Sequence, residues 1–73
     1  MEQIPNSLVQ NVLNYALRNH FDSFSFSKEF NVPIKTKSFF VGDESYNLTF
    51  NYDTNEFLKC FRWSDNKNIP LIK

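Results

Sequence analysis

From Tyr46 to Trp63 the chain reads YNLTFNYDTNEFLKCFRW, two runs of alternating apolar and polar residues on either side of Asp53-Thr54-Asn55-Glu56. Period-two alternation, rich in aromatic residues and broken by Asp and Asn, is the sequence form of a β-hairpin. Tyr46, Leu48, Phe50 and Tyr52 share one face of the first run, and Phe57, Lys59, Phe61 and Trp63 share one face of the second. A four-residue loop pairs 52 with 57, 50 with 59, 48 with 61 and 46 with 63. A slip of one residue would bring Leu58, Cys60 and Arg62 to that face instead. The first register is expected because it buries the larger apolar area.

Earlier in the chain the period is helical. Leu8, Val9, Val12, Leu13, Ala16 and Leu17 fall within one half of a helical circumference, while Gln10, Asn11, Asn14 and Arg18 fall on the other. Pro5 suits a first turn, and Ser7 with Gln10 has capping-box spacing. Asn19 suits a left-handed C-terminal residue, and Arg18 and His20 suit the negative end of the helix dipole. The pattern predicts a helix over about 6–19.

At Phe21 the period changes to two. Phe24 and Phe26 alternate with Ser23, Ser25 and Ser27, predicting a strand over about 22–30. Asn31-Val32-Pro33 interrupts it, since proline cannot donate to a ladder. A second strand over about 34–41 then ends at Gly42-Asp43-Glu44-Ser45, and the hairpin supplies strands over about 46–52 and 57–63. The tail, 64–73, is a polar loop followed by Ile69-Pro70-Leu71-Ile72, which is expected to dock as an extended segment on the domain edge. The fold class is α+β: one domain over 1–73, an N-terminal amphipathic helix packed on one face of a four-stranded antiparallel β-meander.

Composition narrows the function classes more than it selects one. Seventy-three residues place the chain near the lower limit for an independent core. Eight basic and eight acidic residues cancel, which removes the electrostatic argument for nucleic acid or an anionic membrane. Cys60 is the only cysteine, so no internal disulfide forms, as suits a reducing compartment. With no basic N-terminal region followed by an apolar run, the protein is expected to be soluble and cytoplasmic. Ten Asn, six Lys and nine Phe against one Gly and one Ala suggest an AT-rich coding sequence, as in some bacteria, phages and mobile elements.

Chemistry-bearing constellations are sparse. His20, Asp22 and Cys60 are the residue types of a Cys-His-Asp nucleophile, but Cys60 lies mid-strand with no glycine-bearing turn beside it. A small buried hydrophobe is the more ordinary role for such a cysteine. One Cys with one His cannot supply a zinc site, and a single Gly excludes a phosphate-cradling loop. No catalytic residue, metal or cofactor is therefore expected, and the chain is read as a non-catalytic module that binds another protein. A phage or mobile-element inhibitor occupying a surface of a host complex is the specific form, with a homodimer as a further option. The alternative is a protein that binds single-stranded nucleic acid by stacking bases on sheet aromatics, with Lys and Arg at the phosphates.

The partner surface is expected on the sheet face away from the helix. Ser23, Ser25, Asn47, Thr49 and Asn51 would make that face polar, yet the last strand adds Leu58, Cys60 and Arg62 to it. The second strand adds either Phe39 and Val41 with Lys35 and Lys37, or Ile34 and Phe40 with Thr36 and Ser38. The candidate binding set is Phe39, Val41, Leu58, Arg62, Lys35 and Lys37, an apolar patch rimmed by basic groups.

Overall fold

A computed structural model describes residues 2–72. Helix α1, Asn6–Arg18, is followed by strands β1 (Ser23–Ser27), β2 (Val32–Val41), β3 (Glu44–Asn51), β4 (Phe57–Arg62) and β5 (Lys67–Asn68). The strands form one antiparallel sheet in chain order, β1-β2-β3-β4-β5. The architecture is α+β with five strands rather than four, because the polar tail contributes a short edge strand opposite Phe61 and Arg62.

The helix is held by its apolar stripe rather than by its caps. Val9, Val12, Leu13 and Ala16 are buried, Leu8 is half-buried, and Leu17, at the end of the stripe, is exposed. Pro5 occupies the N-cap with no side-chain cap bond, so Ser7 and Gln10 do not form the expected box. Asn19 is not left-handed either, with φ −108° and ψ −84°. Its backbone N–H and its carboxamide Nδ2 both donate to the Tyr15 carbonyl, at 3.0 and 2.9 Å, and close the last turn.

The turns follow local chemistry. Gly42 takes φ 61° at the first position of the two-residue turn between β2 and β3, as the primed hairpin turns require. Asn31, Asn55 and Asn66 take the same left-handed region in the other three connections, which asparagine tolerates better than most residues. Pro33 lies inside β2, opposite Phe26, rather than in a connection. Its carbonyl accepts from the Tyr52 N–H at 2.9 Å, so the side where its own N–H would stand faces the end of β3. The missing donor therefore falls where the ladder is finishing, and the strand tolerates it.

The hairpin takes the register one residue away from the one that maximises apolar burial. Tyr46 lies opposite Arg62, Leu48 opposite Cys60 and Phe50 opposite Phe57, with a bulge that leaves Leu58 without a Cα partner. Two features account for it. The Asn51 carboxamide oxygen accepts from the N–H groups of Asp53 and Thr54, and Asn51 N–H donates to the Glu56 carbonyl, which closes the loop tightly beside Phe50. Phe50 and Phe57 then meet edge to face at 5.9 Å, and the extra residue is absorbed at Leu58.

The core lies between α1 and the face carrying Tyr46, Leu48, Phe50 and Cys60, closed by Ile4 and Ile69 from the two ends of the chain. Those ends form a parallel clip: Ile4 N–H donates to the Pro70 carbonyl and Ile72 N–H to the Ile4 carbonyl, each at 2.9 Å. The tail docks as an extended segment, and its partner is the N-terminal lead-in.

Candidate functional site

Cα pairing assigns each strand residue to a face. Lys35, Lys37 and Phe39 lie opposite Phe50, Leu48 and Tyr46, and Arg62 lies opposite Tyr46, so all four belong to the helix side. Phe39 stacks on Tyr46 at 5.2 Å. Lys35 is buried, its ammonium 4.7 Å from the Phe21 ring centre and 5.5 Å from that of Tyr52, and it donates to the Asn55 side-chain oxygen. Lys37 pairs with Asp22 at 3.2 Å and lies 5.4 Å from the Tyr15 ring centre. Arg62 makes a two-pronged bond to Asp65, at 3.0 and 2.7 Å, and reaches Glu2 at 3.6 Å. Val41 is exposed at the hairpin tip, and Leu58 is half-buried in the bulge. The six residues of the candidate set are thus spread over the helix side, the tip and the bulge rather than gathered on one outer patch.

The outer face is built from the other parity. Ile34, Thr36, Ser38 and Phe40 of β2 lie opposite Asn51, Thr49, Asn47 and Ser45, and Lys59 and Phe61 of β4 lie opposite Thr49 and Asn47. Thr49 is at the centre and is buried. Along one side, the turn between β1 and β2 reaches Lys59, which pairs with Glu29 at 2.9 Å and lies 6.0 Å from the Phe30 ring centre.

At the other end of this face is a row that the hairpin register creates. Phe40 lies opposite Ser45, and Trp63 N–H donates to the Ser45 carbonyl at 3.0 Å, so Ser45 stands between the two large residues. Phe40 is 74% exposed and Trp63 51% exposed, and Phe61 packs on Trp63 with ring centres 4.7 Å apart. Ser64, next to Trp63, donates to Glu44 at 2.8 Å and ties this corner to β3. Reading Phe61 and Trp63 as core partners of Leu48 and Tyr46 concealed the row; the parity of Phe40 relative to Ser45 was the signal for its β2 half.

Three carboxylates are held by hydrogen bonds and ion pairs. Asp22 accepts from the Ser38 N–H at 2.6 Å and from Lys37, contacts that hold its carboxyl below the usual range. Lys67 and Arg62 do the same for Glu2, and Arg62 for Asp65. Burial pushes the Cys60 thiol up to about 11. His20 is exposed just beyond the helix. Among the described residues no group of three or more His, Cys, Asp or Glu is placed to hold a metal ion, and no helix is long and apolar enough to cross a membrane.

No protein-family model, curated protein or solved structure matches this chain.

Proposed function

We propose that this chain is a small non-catalytic module that acts by binding another protein through the outer face of its sheet, with Phe40, Phe61 and Trp63 as anchors. The observation that supports this reading most is the Phe40–Ser45–Trp63 row: two large rings, 74% and 51% exposed, on a face that also carries Ser, Thr and Asn beside Ile34, Lys59 and Phe61. Aromatic anchors set among small polar groups are typical of interface centres, because rigid rings bury much area at little entropic cost. The module's role is to occupy the partner's surface, as an inhibitor encoded by a phage or mobile element would.

A single-stranded nucleic acid could use the same rings for stacking. On this face Lys59 is already engaged by Glu29, which favours protein over phosphate. Affinity capture from the native host separates these readings when wild-type protein is run beside Phe40→Asp and Trp63→Ala. The expected result is a protein retained by wild type and released by both variants, with circular dichroism showing both folded. Unchanged capture by the folded variants overturns the assignment of the surface. Salt-sensitive binding of wild type to single-stranded oligonucleotides, lost in the same variants, replaces the protein reading with the nucleic-acid one.

A further inference from the structure

Strand β1 pairs with β2 along one edge only, and among the described residues nothing pairs with its other edge. Its sequence is Ser23-Phe24-Ser25-Phe26-Ser27, which reads the same in both directions about Ser25. Phe24 and Phe26 are each 60% exposed, on the helix side but beyond the area the helix covers. A bare edge with apolar side chains is a template for another strand.

The polarity of that edge follows from Pro33. Its carbonyl bonds to Tyr52 on the β3 side, so Phe26, its Cα partner in β1, does not bond to it and turns its N–H and C=O outward. By the alternation of an antiparallel ladder, Phe24 does the same, while Ser23, Ser25 and Ser27 bond inward to β2.

We propose that the occupant of this edge is a second copy of the chain, related by a two-fold axis through Ser25. In that register Phe24 of each copy faces Phe26 of the other as a hydrogen-bonded pair, which makes four inter-chain backbone bonds. The two Ser25 residues meet as a non-hydrogen-bonded pair on the axis. The palindrome makes the contact self-complementary, as a two-fold interface requires: Phe meets Phe on the helix side and Ser meets Ser on the outer side at every position. Lys28 of one copy comes level with Asp22 of the other, placing opposite charges at each end of the paired segment. Two five-stranded sheets become one of ten strands, with four phenylalanines in the trough between the two helices.

The exposed surface of those four rings is on the order of 500 Å². Because a stable interface needs roughly 1,000 Å² or more, the dimer is a weak one. This edge is separate from the Phe40–Trp63 row, so the assembly and the proposed partner binding stand or fall independently.

Sedimentation from about 5 μM to about 1 mM tests the assembly, and a cysteine at the axis tests its register. The expected result is a monomer–dimer equilibrium for wild type and a monomer throughout for Phe26→Lys. In Ser25→Cys, mild oxidation with oxidised glutathione should give a covalent dimer far faster than in Ser7→Cys, a control on the helix that is also exposed, because non-hydrogen-bonded partners have Cα atoms at about 4.5 Å, within disulfide range. A wild-type monomer at the highest concentration overturns the proposal, as does a dimer that a folded Phe26→Lys leaves intact. Cross-linking of Ser25→Cys no faster than the control overturns the register, whether or not Phe26→Lys folds.

Discussion

Arg62 lies across the β3–β4 ladder from Tyr46, its guanidinium held by Asp65 and Glu2 at the edge of the core. Because the next residue must point to the opposite face, this pairing sends Trp63 outward beside Ser45. One relationship therefore connects the N-terminal lead-in to the sheet and also creates the exposed aromatic row.

The carboxylates in these contacts predict the acid limb of stability. Glu2, Asp22 and Asp65 are all held below their ordinary values of 4.5, 3.8 and 3.8. Depressed carboxyls bind fewer protons folded than unfolded, so their contribution is present above those ordinary values and is lost as pH falls through the folded ones. Urea titrations from neutral pH downward should show stability declining below the ordinary carboxylate range, and a shallower decline in Asp22→Asn. An acid limb of unchanged slope in Asp22→Asn would show that its bonds to Ser38 and Lys37 are not stabilising.

Cys60 predicts the alkaline limb. Its thiol is raised from 9.0 to about 11 by burial, so the unfolded chain deprotonates first and stability falls across that interval. The effect is on the order of 2–3 kcal/mol and is read as the difference between wild type and Cys60→Ala, which cancels the titration of Lys and Tyr. Labelling by a thiol reagent at neutral pH should require opening of the fold, since the side chain is 1% exposed. Immediate labelling of folded protein would contradict its burial.

Leu13 and Phe50 belong to one core, so Leu13→Ala or Phe50→Ala should each cost about 2–5 kcal/mol, a large part of what a chain of this size holds. Thermal melts by circular dichroism are the measurement, and an unchanged midpoint for either variant would reject the packing of α1 on β3.

Ile69 and Ile72 separate the two roles of the tail. Ile69 is 2% exposed in the core, whereas Ile72 is 45% exposed and contributes mainly its backbone bond to Ile4. Ile69→Ala should cost about 2–4 kcal/mol and Ile72→Ala less than about 1 kcal/mol. Equal losses in chemical denaturation would mean that the clip, not the buried side chain, holds the tail.

Much of this protein was determined by the sequence alone, wherever the signal is local. The 3.6-residue stripe from Leu8 to Ala16 specifies the helix, the alternations specify the four long strands, and Gly42-Asp43 specifies the tight turn between two of them, because dihedral preference and side-chain period act within a few residues. Contacts between distant segments were decided only by the tertiary structure. A two-residue period is degenerate under a one-residue slip, so the faces of Cys60, Arg62 and Trp63 depended on the Asn51-capped loop and the bulge at Leu58. Leu17 reads as core by period, yet it is 52% exposed because the buried stripe is narrower than the apolar one. The Ile4–Leu71 clip joins opposite ends of the chain, where no periodicity can signal a partner, and it forms because both ends carry apolar side chains that the core leaves room to bury.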